Sequence, residues 1–180
     1  MLRKSLLSLI LFLFFGFWTQ AQTLFSPSKT IELTFSLSSK GEPTYQLNLA
    51  SQPVILPSKL GFDLKADEVD LLEGFEVSKM ENATFDETWT PVWGEESQIR
   101  NHYNELMVEL TQASTGRKMV IRFRAFDEGV GFRYEFPLQE KMGYFVVKEE
   151  MTQFAMTGDH TAFWIPGDYD TQENDFTESK

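Results

Sequence analysis

The stretch Met119-Val120-Ile121-Arg122-Phe123-Arg124-Ala125-Phe126-Asp127-Glu128-Gly129-Val130-Gly131-Phe132-Arg133-Tyr134-Glu135-Phe136 decides the fold class. Side chains of an extended chain point alternately to opposite faces. Met119, Ile121, Phe123 and Ala125 therefore share one face, and Arg122 and Arg124 take the other. Asp127-Glu128-Gly129 turns the chain, with Gly129 placed where a hairpin turn calls for a positive φ. Val130, Phe132, Tyr134 and Phe136 then alternate with Gly131, Arg133 and Glu135 on the return. The three arginines are expected to face hairpin partners or neighbouring carboxylates, Glu135 among them.

The same period of two recurs on either side. Ile31, Leu33, Phe35 and Leu37 alternate with Glu32, Thr34, Ser36 and Ser38. Lys40-Gly41-Glu42-Pro43 signals a turn, and Tyr45, Leu47 and Leu49 resume the pattern as a second hairpin. Pro53, Pro57 and Gly61 punctuate the next stretch, and Asp67 to Glu76 reads as a short helical turn or an irregular strand. Asn82 to Tyr103 is polar with aromatic anchors Phe85, Trp89, Trp93 and Tyr103, and Leu106, Val108 and Leu110 alternate again. Phe145 with Val147, and Phe154 with Met156, suggest two further strands. No helix of three turns and no repeat is visible. Short strands between turns, with 17 Phe and 4 Trp, predict an all-β, antiparallel β-sandwich whose sheets pack face to face.

Composition narrows the function classes. Met1 to Ala21 reads as an export signal: Arg3 and Lys4 form a basic start, Ser5 to Trp18 an apolar stretch, and Thr19-Gln20-Ala21 a small-x-small cleavage site. The domain is then residues 22–180, exported to the periplasm or outside the cell, with no membrane attachment after cleavage. The formal charge is −11, and loss of Arg3 and Lys4 makes it more negative. Such a balance excludes a nucleic-acid partner, whose phosphates need clustered Lys and Arg. With no Cys, disulfides, zinc–thiolate sites and cysteine nucleophiles are excluded.

Few residues announce chemistry. Asp168, Asp170, Glu173, Asp175 and Glu178 form an acidic run that could offer oxygens to a hard cation such as calcium. Asp168-x-Asp170 opens like an EF-hand loop, but glycine at the sixth position and glutamate at the twelfth are missing. On composition the run reads as a solvated acidic loop. His102 and His160 lack partners at metal-ligand spacing and read as surface or hydrogen-bonded structural residues. Trp89, Trp93 and Trp164 could stack on sugar rings, although core or hinge packing is the plainer reading. Asn82-Ala83-Thr84 is a glycosylation sequon that matters only in a eukaryotic secretory host, and Gly129-Val130-Gly131 lacks the helix a phosphate loop needs.

Four segments taken together carry a family resemblance. They are Leu56-Pro57-Ser58-Lys59-Leu60-Gly61, Trp89-Thr90-Pro91-Val92-Trp93-Gly94-Glu95, Ile99-Arg100-Asn101-His102-Tyr103-Asn104-Glu105-Leu106, and the run from Arg122 to Tyr134. In this order the chain resembles the N-terminal domain of glycoside hydrolase family 97, bacterial α-glucosidases and α-galactosidases. The resemblance implies an N-terminal β-sandwich, a central (β/α)₈ barrel carrying the catalytic carboxylates, and a small C-terminal β-domain. Residues 22–180 would then be an incomplete N-terminal domain, with no catalytic residue of its own. The resemblance also implies a sandwich glutamate that ligates an active-site calcium, and Glu173, after Trp164-Ile165-Pro166, is the matching position. Family members either invert, with a water between carboxyl groups ~6.5–9.5 Å apart, or retain, with the groups ~5–5.5 Å apart. The expected activity is exo-hydrolysis of an oligosaccharide or α-glycoside. Two rivals stand beside it: a non-catalytic carbohydrate-binding β-sandwich, and an adhesin-like domain that binds neither sugar nor calcium. Exposed, coplanar tryptophans and a complete, closed pair of sheets would favour the carbohydrate-binding sandwich, and buried tryptophans with an open sheet edge the incomplete enzyme.

Overall fold

The hairpin from Met119 to Phe136 forms as its alternation requires. In the computed structural model, which describes residues 21–65, 69–167, 169–170 and 173–180, its strands are β8 (Lys118–Ala125) and β9 (Val130–Glu135). They pair antiparallel with Phe123 opposite Phe132 and Arg122 opposite Arg133. The turn between them is closed by a backbone hydrogen bond from Phe126 N to Gly129 O of 2.8 Å. Gly129 does not take the expected positive φ; the glycines that do are Gly41, Gly61, Gly74, Gly94 and Gly116. The expected export segment, Met1 to Ala21, lies outside the described residues except for Ala21.

Preceding the hairpin are β6 (Phe75–Trp89) and β7 (Ile99–Gln112), completing a four-stranded sheet in the order β6-β7-β8-β9. A second sheet holds β1 (Gln22–Phe25), β2 (Ile31–Leu37), β3 (Pro43–Leu49) and β4 (Gln52–Lys59) in sequence order. The inner faces meet as predicted. Leu33, Phe35 and Tyr45 pack against Leu106, Val108, Leu110, Ile121, Phe123 and Ala125 in one buried cluster. The Phe123 ring lies 6.0 Å from Phe35, 6.5 Å from Tyr45 and 5.8 Å from Phe132, so it bridges the sheets near their centre. This is an antiparallel β-sandwich, and no α-helix occurs among the described residues.

Two stretches that the sequence leaves open are settled here, and one expected strand proves partial. The proline-punctuated stretch is the strand β4, which sits at the edge of its sheet, where Pro53 and Pro57 need not donate to a ladder. Segment 151–156 runs beside that edge: Leu56 N donates to Ala155 O at 2.8 Å, and Gln153 N donates to Lys59 O at 2.9 Å. Phe154 and Met156 therefore belong to a partial pairing, bridged only at Ile55 and Met156, and not to a full strand. The helical option for Asp67 to Glu76 fails where it is described. Leu71 is fully buried and bridges antiparallel to Phe62, and residues 66–68 lie outside the described residues.

Short strands β5 (Phe62–Leu64) and β10 (Val147–Glu150) pair as a ribbon beside the sandwich. Phe62 packs on Tyr134 at 4.5 Å and on Phe136 at 5.5 Å, which seals that side of the core. Gly61 makes this possible. Its φ of 141° is open to glycine, and a Cβ there would collide with the backbone oxygen of Leu71. The Tyr134 hydroxyl, held 2.7 Å from Thr152 Oγ1, is pushed up to about 12 by burial.

The outer face of the β6–β9 sheet carries the arginines, paired as expected. Arg122 donates to Glu135 at 2.8 Å and to Glu105 at 2.5 Å; Arg124 donates to the other oxygen of Glu105 at 2.8 Å, and Arg133 to Glu135 at 2.7 Å. The hydrogen bond from Arg122 holds the Glu135 carboxyl down at about 2. Burial pushes Glu105 up, but the bonds from Arg124 and Arg122 outweigh it and leave that carboxyl below its ordinary value. A carboxyl depressed in the folded state stabilises it above the unfolded value, and that contribution is lost as pH falls through the folded one. Wild-type stability should therefore decline between pH 4.5 and about 2. Glu135→Gln should flatten this decline and cost about 1–2 kcal/mol at neutral pH, because the pair is only partly buried. Urea unfolding across that pH range checks both; an acid limb unchanged in the variant would contradict the assignment.

Candidate functional site

The predicted metal-facing residue sits on a loop with a fixed base. Strands β11 (Ala162–Trp164) and β12 (Thr177–Ser179) pair antiparallel, Ala162 with Ser179, Phe163 with Glu178 and Trp164 with Thr177. The Trp164 indole N–H donates to Ser179 Oγ at 3.0 Å, a side-chain clasp across the ribbon. The final acidic stretch thus contains a strand, where the sequence suggests none. Thr177, Glu178 and Ser179 have no apolar residue to announce it; Trp164 supplies the packing and bonding from the partner strand.

This clasp presents the loop from Ile165 to Phe176. Glu173 lies on it, exposed, as do Asp170 and Asp175, while Glu178 projects from β12 and Asp168 lies outside the described residues. Glu173 and Asp170 each have an intramolecular interaction partner. Uncovered aromatic side chains lie on the same ribbon or next to it in sequence: Phe163 at 68%, Trp164 at 47% and Phe176 at 75% exposure.

The described residues contain no group of three or more His, Asp or Glu placed to hold a metal. One carboxylate supplies one or two oxygens of the six to eight that calcium takes. The donor type fits calcium, and a single glutamate would fill only part of such a shell.

Elsewhere the described residues show no catalytic constellation. His160 Nε2 lies 3.2 Å from Thr157 Oγ1, a local turn contact. His102 is opposite Asp86 across β6 and β7. Both match the structural reading. A shallow groove of about 450 Å³ runs between β1 and the β6–β7 hairpin, lined by Asn82, Thr84, Asn104 and Glu105. Its polar groups are engaged: Thr84 with Asn104, Asn104 with Phe25 O, and Glu105 with two arginines. The tryptophans depart from the plainer expectation, since Trp89 and Trp93 are 48% and 89% exposed and none of the three lies in the core.

Comparison with known proteins decides the family. The model described as Glycosyl-hydrolase 97 N-terminal matches residues 24–180, nearly the whole described sandwich and its ribbon. The chain belongs to glycoside hydrolase family 97. A solved family 97 enzyme from Pseudoalteromonas sp. strain K8, in complex with acarbose, is 30% identical with a TM-score of 0.79. The same figures hold for that enzyme's complex with panose. In both, the match covers 88% of this chain and 24% of the solved one. A β-arabinopyranosidase, 21% identical with a TM-score of 0.75 over 87% of this chain and 26% of that one, shows the fold alone. The chain spans about a quarter of the length of these solved relatives. The resemblance drawn from the four sequence segments is thus confirmed at the level of the family 97 N-terminal domain.

Proposed function

We propose that this domain belongs to an exported, calcium-dependent exo-glycosidase acting on α-glucosides or α-galactosides, and that Glu173 is its contribution to the calcium shell. The observation that carries the reading is the clasped β11–β12 ribbon. Its strands flank the segment that carries the exposed Glu173, in a family 97 domain that spans a quarter of its solved relatives. The complexes of the Pseudoalteromonas enzyme with panose and acarbose support an oligosaccharide as the substrate class. The export segment supports the periplasm or the outside of the cell.

In this reading the chain's own part is positioning. The Trp164–Ser179 clasp ties together the two strands that flank the segment carrying Glu173, which favours a reproducible base for that ligand when the remainder of the protein closes over it. Calcium bound there would supply a Lewis acid and a template for the sugar oxygens. The general acid, and the base or nucleophile, belong to the part of the enzyme this chain does not span. Loss of the clasp would loosen the ligand without touching the chemistry.

The test is hydrolysis by the full-length protein. Nitrophenyl α-glucoside or α-galactoside should be cleaved, activity should fall on chelation, and added calcium should restore it. Absence of cleavage of either substrate overturns the reading. The exposed Trp89, Trp93 and Trp164 favour a second reading, a non-catalytic carbohydrate-binding sandwich. Oligosaccharide binding by the full-length protein without hydrolysis would establish that one instead.

A further inference from the structure

The β6–β7 hairpin outruns the sheet it belongs to. β7 is paired with β8 only from Asn104 to Thr111, whereas β6 and β7 stay paired as far as Trp89 and Ile99. From Thr84 to Trp89 the ribbon therefore extends about 17 Å beyond its last neighbouring strand, at the usual rise per residue. A two-stranded ribbon alone in water is marginal, and this one is braced along its length. Arg100 grips Asp86 through two bonds of 2.8 Å, and Phe85 stacks on Tyr103 at 5.2 Å. Tyr103 in turn packs against Phe126 at 5.1 Å and lies under the Arg124 guanidinium at 4.4 Å.

The arm has two unlike faces. Thr84, Asp86, Thr88, Arg100, His102 and Asn104 share one, while Phe85, Trp89, Ile99 and Tyr103 share the other with the polar pair Glu87 and Asn101 between them. Beyond that pair the exposed side chains of Trp89 and Ile99 lead into the tip, where Val92 is 99% and Trp93 89% exposed. Scattered exposed apolar residues are ordinary; a contiguous run of them marks a contact surface. Acidic residues flank this apolar tip, with Glu87 two residues before Trp89 and Glu95 and Glu96 just after Trp93.

We propose that this arm is a docking element that seats Trp89, Val92 and Trp93 in an apolar recess, rimmed by Lys or Arg, on the remainder of the same polypeptide. The inference rests on the reading that the protein is a full-length family 97 enzyme, of whose solved members this domain is 24%. A second copy is a poorer occupant. A two-fold contact presents the same patch from both sides, which sets Glu87, Glu95 and Glu96 against their own copies.

Photo-crosslinking in the full-length protein tests this, with p-benzoylphenylalanine in place of the fully exposed Val92. The expected product has the mass of one chain, with the crosslink to a peptide beyond Lys180. Oxidative footprinting of the wild-type protein provides the second readout. Trp93 should be oxidised more slowly than Tyr144, although both are 89% exposed on this domain. A crosslinked dimer, or a Trp93 as reactive as Tyr144, overturns the proposal. Failure of the glycosidase reading shows in the hydrolysis assay instead, and an intramolecular crosslink would stand without it.

Discussion

Phe123→Ala is expected to lower the unfolding free energy of the sandwich by about 3–5 kcal/mol, the usual range for emptying a buried aromatic site. The side chain is fully buried and touches rings from both sheets: Phe35 on β2, Tyr45 on β3 and Phe132 on β9. Its removal deletes the one ring that joins those three, and strands locked into ladders on both sides cannot collapse into the space. A domain of ordinary stability, about 5–15 kcal/mol, would lose a large share. Urea unfolding should show a lower midpoint at an unchanged slope. Phe163→Ala is the matched control, because that ring is 68% exposed on the β11–β12 ribbon; it should change stability by no more than about 0.5 kcal/mol. Equal effects for the two variants would mean that the sheets do not pack through Phe123.

How legible each element was follows from what each face meets. Met119, Ile121, Phe123 and Ala125 are all fully buried, so one face of β8 is wholly apolar and its period of two is plain. The outer half of β6 meets water on both faces. Asn82, Thr84, Asp86 and Thr88 alternate with Ala83, Phe85, Glu87 and Trp89, and the mixed second face blurs the alternation. β4 is hidden by Pro53 and Pro57, residues that an edge position tolerates and a central strand does not. β12 has no apolar residue at all, and its existence depends on backbone pairing and on the indole of Trp164.

The candidate site was less legible than the fold for a physical reason. A metal shell assembled from two bodies leaves only part of its donors on either, and one carboxylate among five gives no spacing to read. Nothing in the residues 168–180 distinguishes Glu173 from Asp175 or Glu178; the family resemblance alone points to it. The structure adds the clasped ribbon that would make such a position reproducible. It also places Glu105, which the sequence does not single out, at the centre of the arginine network, where strand register sets it opposite Arg124.

The central claim is that Glu173 completes a calcium site held jointly with the rest of the enzyme, and calorimetric titration of the full-length protein with calcium tests it most directly. Glu173→Gln keeps the side chain's size and removes its charge. Even residues that only orient a metal's ligands typically cost about 10–100-fold in affinity when removed, so a direct ligand should cost at least as much. Asp175→Asn, two residues away on the same exposed loop, should leave the affinity as it was. Tight calcium binding by wild type that falls by that factor in Glu173→Gln, and not in Asp175→Asn, is the predicted result. Unchanged affinity in Glu173→Gln, or no calcium binding by the wild-type protein, would contradict it.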